Sequence, residues 1–444
     1  MADGTPRTLA ADAYVYGYPL VCDLSMVGTF HVSGLGAIGP GPFNTFGHAD
    51  ELATPASHFV SVNNDTVYSA AQLDLSGGPL LLHVPDTAGA YYVLQFIDAW
   101  TNNFAYIGRR STGTGEQTWL IAPPHWHGTP PAGVGVITAP TTVATVAARF
   151  ACDGPEDLPR VAALQRKLTL APLEPGGILA GIPEPDPDVP EELRLLEQLR
   201  VWAAAFPPAE ADLAYQQRFA PIGLLDDDRS PYRDGPAEWV GALVAGLADG
   251  RERVEAATRP AEGRPVGEWN VNLHLFDYNL DHLGPGTRDE PRFRIADRRA
   301  AYLTRAVAAR MGLWGNHAYE AVYGNTYDDA EGKPLTGAHA YTLRFDELPP
   351  VDGFWSVTMY GVPEYYLVEN PAGRYSIGDR TPGLVYAPDG SLTLVIQRER
   401  PADPAEAANW LPAPEGGFRP MIRLYEPGTA VLDGTYRIPP IRRK

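Results

Sequence analysis

The hydrophobic pattern divides the chain into alternating helical and strand-forming regions. Residues 8–29 carry Ala, Tyr, Val and Leu at helical spacing and predict a helix that ends near Gly28. From His58 to about Leu120 the period changes to two, in short β-branched and aromatic runs separated by Gly, Pro and Asp. Residues 153–256 return to helical spacing, and residues 338–444 return to strands. The order is therefore helix, sheet, helices, sheet.

This order predicts an α+β fold that is mainly β. We expect two antiparallel, jelly-roll-like β-sandwich domains joined by a helical block, with an N-terminal helix. The predicted boundaries are 1–152 for the N-terminal helix and first sandwich, 153–260 for the helical connector, and 261–444 for an approach segment, a helix and the second sandwich. No fixed internal repeat is visible, and the PDGS turn at 388–391 predicts a hairpin.

Composition and charge narrow the classes of partner. The chain has 444 residues, of which 44% are hydrophobic and 20% charged, as in soluble globular proteins. Its net charge of −19 argues against nucleic acid or an anionic membrane as partner. No long apolar run or secretion leader is seen, and there are only 2 cysteines. We expect a cytoplasmic protein whose partner is a small-molecule substrate.

A triplet of polar residues, Asn63, Asn64 and Asp65, interrupts a strand-like run. Strand interiors disfavour Asn and Asp, so the triplet predicts a bulge, a turn or a ligand site. Two interpretations stay open: the side chains bond the backbone of a turn, or they face a ligand. In the second case Asp65 could move a proton.

Two arginine-containing segments are the other candidates for ligand binding. Arg109 and Arg110 follow Asn103 after a buried-looking strand, and the second strand region carries Arg374 and Tyr375 followed by Asp379. Guanidinium groups bind carboxylate or phosphate with a planar fork, but they also serve as structural braces. Unusual polar residues concentrate in segments 61–75, 98–113 and 355–380. We therefore expect the first two segments to lie near the third.

Tyrosines supply further candidates, while metal and cofactor motifs are lacking. Tyr14 and Tyr18 are four residues apart on the predicted first helix, and Tyr68 follows the polar triplet. A phenol can donate a hydrogen bond to an oxyanion or transfer a proton. Histidine spacing predicts no metal site, and no nucleophile motif or βαβ pattern for flavin or nicotinamide is present. We therefore expect no metal and no cofactor.

Several segments resemble a known two-domain family. SVNNDTVYSAAQLDL (61–75) and residues 98–124 resemble the family of domains of unknown function numbered 1254. LPPVDGFWSVTMYG (348–361), which contains Trp355, and residues 369–380 and 409–428 resemble the family numbered 1214. The resemblance implies two jelly-roll-like domains joined by helices, often in a homo-oligomer, and implies no particular activity.

The first hypothesis is a cofactor-independent enzyme acting on a small polar organic molecule, carboxylated or not. Lyase, isomerase, cyclase or hydrolase chemistry would use the catalytic candidates Asp65, Tyr68, Tyr375 and Asp379. The substrate-binding candidates are Asn63, Asn64, Asn103, Arg109, Arg110, Trp355, Arg374, Tyr14 and Tyr18. The alternatives are a non-catalytic ligand- or carbohydrate-binding or structural protein and, third, a metal-dependent oxygenase.

Overall fold

The computed structural model describes residues 4–57, 60–226, 229–258, 265–276, 281–293 and 297–444. His58, the predicted start of the first strand region, lies outside the described residues. The described chain is α+β and mainly β, which confirms the predicted fold class. Its helices are α1 (Pro6–Ser33), α2 (Leu158–Gln165), α3 (Arg194–Ala205), α4 (Glu210–Gln216), α5 (Ala237–Thr258), α6 (Arg298–Gly312), α7 (Pro404–Ala408) and α8 (Thr429–Leu432).

The strands of the described residues form four sheets. Those of the first sandwich are β1 (Gly47–His48), β2 (Thr66–Asp74), β3 (Leu80–Val84), β4 (Tyr92–Asp98), β5 (Asn103–Gly108), β6 (Gln117–Ala122), β7 (Gly135–Thr138), β8 (Val143–Ala151) and β9 (Thr169–Pro172). Those of the second are β10 (Asn270–Val271), β11 (Ala321–Asn325), β12 (Tyr341–Phe345), β13 (Trp355–Gly361), β14 (Ser376–Gly378), β15 (Leu392–Gln397), β16 (Trp410–Pro412), β17 (Phe418–Tyr425) and β18 (Arg442–Arg443).

The two sandwiches share one topology. The first pairs a sheet of order β1-β2-β8-β4-β5 with one of order β7-β6-β3-β9, and the second has the orders β10-β11-β17-β13-β14 and β16-β15-β12-β18. β10 of the second sandwich thus occupies the place of β1 in the first, β11 that of β2, and so on to β18 and β9. Pairing is antiparallel except for the edge pairs β6–β7 and β15–β16, which are parallel in both. The chain contains a structural repeat that its sequence does not display.

Each sandwich has its own hydrophobic core, and the larger sheets are buried on both faces. Every residue of β8 and every residue of β17 is buried. One face of each strand packs inside its own sandwich. On the opposite faces, Tyr91, Val93 and Tyr106 of the first sandwich contact Phe354 and Tyr425 of the second. Contact between the two larger sheets therefore explains the nearly continuous apolar strands.

A helical cluster built on α1 covers the remaining apolar surface. Thr5 caps α1, since its hydroxyl accepts from the Thr8 N–H at 3.3 Å, and Gly34 ends it with a φ of 78°. α1 packs against α3, α5 and α6 through Leu, Val and aromatic side chains. No helix in the described part of the chain is long and apolar enough to cross a membrane.

We expect Gly246→Ala to destabilise the protein by about 1–3 kcal/mol, the range for overpacking. A Cβ at Gly246 of α5 would lie 2.1 Å from the Arg7 carbonyl oxygen of α1, so the two helices would have to separate. Gly241→Ala in the same helix is the matched control, because a Cβ there meets nothing within 4 Å. Urea unfolding measures both; equal stability of the two variants would contradict the close helix contact.

Two local features differ from the sequence prediction. The first sandwich continues beyond residue 152, because β9 pairs with β3. The predicted hairpin at 388–391 is wrong, since no strand lies between β14 and β15. The side chain of Asn409 accepts from the Val385 N–H at 2.9 Å and donates to the Val385 carbonyl at 2.7 Å. These bonds replace the bonds that a strand partner would make.

Candidate functional site

A cleft of about 540 Å³ lies between the two sandwiches and receives side chains from both. The first sandwich and the loop before it contribute Glu51, Asn64, Asp65, Cys152 and Asp153, and the second contributes Trp355, Ser356, Arg374, Tyr375, Ser376 and Arg380. Five of the predicted site residues thus line one cavity. They are Asn64, Asp65, Trp355, Arg374 and Tyr375.

A turn built around Asn63 places Asp65 at the cleft. The Asn63 side-chain oxygen accepts from the backbone N–H groups of Asp65 and Thr66, both at 3.1 Å. Its amide nitrogen donates to the Tyr68 hydroxyl at 2.7 Å. Asn closes such turns readily because its short side chain mimics a backbone carbonyl. Asn63 therefore shapes the backbone, and β2 begins only at Thr66.

The Asp65 carboxylate is the buried acid of the cleft. Its side-chain oxygen Oδ2 accepts from the Ser356 hydroxyl at 2.7 Å and from the Tyr425 hydroxyl at 3.2 Å, both in the second sandwich. The residue is only 5% exposed. Among the described residues, none donates a hydrogen bond to Oδ1. One carboxylate oxygen is therefore fixed by the protein, and the other is available to a ligand.

Arg374 and Tyr375 supply hydrogen-bond donors on the opposite sandwich. Arg374 NH1 donates to the Ala408 and Trp410 carbonyls at 3.1 and 2.9 Å, and no described carboxylate forms an ion pair with it. Burial and the neighbouring Arg400 lower the pKa of Arg374. Burial, reinforced by Glu369, raises the pKa of Tyr375, so its phenol is a weaker acid than usual and serves as a hydrogen-bond donor.

Arg380 joins the two sandwiches at the wall of the cleft. It donates to the Asp65 carbonyl at 2.8 Å and to the Asp153 carboxylate at 2.9 Å, and its guanidinium lies 3.6 Å from the centre of the Phe354 ring. Its counterpart in the first sandwich, Arg110, donates to the Tyr319 and Pro427 carbonyls of the second. Each sandwich thus bonds the other through an arginine, two residues after β5 in the first and two residues after β14 in the second.

The other predicted site residues lie away from the cleft. Segment 61–75 contacts 355–380 as expected, through Asp65 and Ser356, but segment 98–113 contacts 319, 352 and 426–427. Arg109 pairs with Glu426, and Asn103 bonds Gln95 and the Gly315 carbonyl. Tyr14 and Tyr18 stack on each other within the helical cluster, and Tyr68 lines a different cavity.

Asp379 also lies outside the cleft lining. Its carboxylate accepts from the Trp355 N–H at 3.0 Å, and the residue is exposed. Ser356, Ser376 and Asp153 are lining residues that the sequence analysis missed. Ser356 had one available signal: it is a polar residue in a mainly apolar strand, next to Trp355. Nothing in the sequence marks Asp153 or Ser376.

Metal ligands are not gathered at this cleft. Within the residues that the structure describes, no group of three or more His, Cys, Asp or Glu side chains could hold a metal ion. Cys152 lines the cleft, but burial raises the pKa of its thiol, which donates to the Gly154 carbonyl at 3.2 Å. The thiol form is a poor nucleophile, so Asp65 is the stronger candidate for chemistry.

The sequence comparisons identify the class of protein. Residues 43–172 match the family described as a protein of unknown function (DUF1254), and residues 320–429 match the one described as a protein of unknown function (DUF1214). The chain therefore belongs to the family of two-domain proteins in which DUF1254 precedes DUF1214. No curated protein matches the chain.

One solved structure shares the arrangement over its full length. The chain is similar to the VPA0106 protein from Vibrio parahaemolyticus, with 25% identity and a TM-score of 0.72 over 99% of this chain and 100% of that one. An uncharacterized protein from Burkholderia cenocepacia shows 13% identity and a TM-score of 0.44 over 98% of this chain and 88% of that one. The full-length match to VPA0106 covers both sandwiches and the helical block.

Proposed function

We propose that this protein is a cofactor-independent enzyme that performs acid/base chemistry on a small hydroxy- or oxo-carboxylate in the cleft between its sandwiches. The observation that carries the proposal is the burial and hydrogen bonding of the Asp65 carboxylate. Its carboxylate is buried, one oxygen is held by Ser356 and Tyr425, and the other has no donor among the described residues. An oriented, partly desolvated carboxylate is suited to accept a proton.

The charges of the cleft support a carboxylated substrate. Arg380 is already paired with Asp153, whereas Arg374 bonds only neutral carbonyl groups. An arginine with free donors binds carboxylate through two parallel hydrogen bonds. The remaining polar groups, Asn64 and Ser376, contact each other at 3.4 Å and can orient a hydroxyl or a carbonyl oxygen.

The proposed roles follow from these contacts. Arg374 binds the substrate carboxylate, and Asp65 takes a proton from an adjacent carbon or hydroxyl group. Tyr375, whose pKa is raised, donates a hydrogen bond to the oxygen that gains negative charge. This division of roles fits a lyase or an isomerase, in which a proton leaves one atom and is returned to another or to the leaving group.

The full-length protein should convert at least one member of a panel of small hydroxy- and oxo-carboxylates, followed by proton NMR without added metal or cofactor. Conversion by the native protein but not by the Asp65→Asn variant supports the proposal. Binding without conversion favours the non-catalytic ligand-binding alternative, and conversion that requires added iron favours the oxygenase. Either result would contradict the proposed chemistry.

For a converted carboxylate, we expect Arg374→Met to raise KM by about tenfold or more with a smaller change in kcat. Loss of a hydrogen bond to a charged group costs roughly 1.5–3 kcal/mol, and here the bond is made in both ground and transition states. Arg437→Met is the matched control, since Arg437 is exposed and does not line the cleft. Steady-state kinetics should show no change for Arg437→Met; an unchanged KM in Arg374→Met would remove Arg374 from substrate binding.

We also propose that the protein acts in the cytoplasm. Cys22 and Cys152 are both free thiols in the structure, which suits a reducing compartment. Cell fractionation that finds the protein in an oxidising compartment would contradict this part of the proposal.

A further inference from the structure

A second cavity, of about 120 Å³, lies next to the cleft and has a different character. Glu51 and Ala53 line both cavities, so the two are neighbours. Most of the second lining is apolar, with Leu35, Ile38, Ala147 and Trp314 among its residues. Exposed Gly36 and Ala37 belong to the lining as well, so the cavity reaches the surface. The second cavity can therefore admit a small molecule.

Arg149 is the buried cation of this cavity. The residue is 7% exposed, and its guanidinium donates to Gln95 at 2.8 Å, to Asn316 at 3.3 Å and to the Trp314 carbonyl at 2.8 Å. All three acceptors are neutral, and no carboxylate in the described part of the chain forms an ion pair with Arg149. Glu320 is near enough to interact electrostatically with Arg149 but forms no ion pair with it, so a bound anion would offset the cost of burying this cation.

The Tyr68 hydroxyl supplies a second donor. Its oxygen accepts from Asn63 at 2.7 Å, and its own proton has no acceptor among the described residues. The Arg149 guanidinium lies 5.3 Å from the centre of the Tyr68 ring, which places both groups at one region of the cavity. Glu51, the acid in the lining, is exposed, whereas Arg149 is buried.

The structural repeat places a larger side chain in the second sandwich at one position of this cavity lining. Arg149 of β8 pairs with Tyr68, and at the same place in the second sandwich Arg423 of β17 pairs with Tyr323. Two residues earlier, the first sandwich has Ala147 and the second has Met421, which packs against Tyr360 and Leu367. A methionine thus fills the space that the alanine leaves open.

We propose that the second cavity binds a small apolar molecule carrying one carboxylate, anchored by Arg149 and Tyr68. The cavity volume of about 120 Å³ is close to the roughly 150 Å³ of an apolar protein cavity that binds benzene, so a single ring or a short chain fits. The guanidinium and the phenol each donate to one carboxylate oxygen. This site does not use Asp65 or Arg374, so it is independent of the function proposed for the cleft.

Isothermal titration of the full-length protein with benzoate, benzamide and inorganic phosphate tests the site. We expect benzoate to bind at least tenfold more tightly than benzamide, because only benzoate offers two charged acceptors. Phosphate, which lacks an apolar part, should bind at least tenfold more weakly than benzoate. Arg149→Met should abolish the preference for benzoate over benzamide.

Ala147→Met keeps the arginine and its bonds but fills the cavity, as Met421 does in the second sandwich. We expect it to weaken benzoate binding at least tenfold while the protein remains folded, even if Arg149→Met does not fold. Asp65→Asn, in the cleft, should leave benzoate binding unchanged. The proposal is overturned if benzoate does not bind, if benzamide or phosphate binds as tightly, if Ala147→Met binds benzoate normally, or if Asp65→Asn abolishes the binding.

Discussion

Asp65→Asn is expected to lower turnover of a converted substrate by about a hundredfold or more, the usual contribution of a positioned general base. The asparagine side chain has the shape of aspartate, and its oxygen can still accept from Ser356 and Tyr425, as Oδ2 does at 2.7 and 3.2 Å. Only the basic oxygen that faces a ligand is lost. The melting temperature should therefore change little.

Asp379→Asn is the matched control for this prediction. Asp379 is also an aspartate bonded to the second sandwich, through the Trp355 N–H, but it is exposed and lies outside the cleft lining. The turnover of the Asp379→Asn variant should stay within a few-fold of that of the native protein. An Asp65→Asn variant that unfolds easily but retains full activity per folded molecule would show that Asp65 only stabilises the domain contact.

Stability should fall as the pH rises, because of a second buried acid at the same contact between the sandwiches. Glu320 occupies the place in the second sandwich that Asp65 occupies in the first, directly before β11 and β2. Burial, with a smaller contribution from Glu426, raises the pKa of Glu320 to about 7, although the hydrogen bond from Tyr91 and the charges of Arg110 and Arg149 oppose the shift. In the unfolded chain a glutamate titrates near pH 4.3.

The direction of this pH dependence follows from the difference in proton binding by Glu320 between the folded and unfolded states. Below about pH 4 the carboxyl is protonated in both states, and the favourable contribution of Glu320 is fully present. Between about pH 4 and 7 the unfolded state ionises first and is favoured. Glu320 should therefore lower the free energy of unfolding by about 3 kcal/mol across that range, with no further change above it.

Urea unfolding of the native protein and of Glu320→Gln between pH 4 and 8 measures this effect. Other buried acids also titrate, so the difference between the two proteins isolates Glu320. The glutamine variant should gain stability relative to the native protein as the pH rises. Glu399→Gln, at an exposed position, is the control and should parallel the native curve. A constant difference between native protein and Glu320→Gln would contradict the raised pKa.

The sequence predicted those parts of the fold that local patterning determines. Helical spacing located α1, and period-two runs located most strands of the first sandwich, because burial of one or both faces imposes these patterns. The structural repeat was not predictable, since only scattered positions, such as Arg149 and Arg423, keep the same side chain in the two halves, while others, such as Ala147 and Met421, differ. The two sandwiches therefore have the same strand order although many of their side chains differ.

The candidate site was predictable only in part, because it forms between domains. Asn64 and Asp65 stood out since strands disfavour them, and Arg374 and Tyr375 stood out by chemistry. Ser356 and Asp153 join them through contacts between the sandwiches that no local pattern encodes. The arginine pair at 109–110 illustrates the reverse case: its residues bond Glu426 and backbone carbonyls, so a pattern that suggested a ligand site belongs to the domain contact.

The proposed function requires that the substrate bind and react in the cleft between the sandwiches. A crystal structure of the Asp65→Asn variant, soaked with a compound that the native protein converts, tests it most directly, because the variant should bind the compound without consuming it. We predict density for the compound in the cleft, with its carboxylate on Arg374 and its reacting atom within hydrogen-bond distance of residue 65. An empty cleft, with the compound bound elsewhere on the chain, would contradict the account.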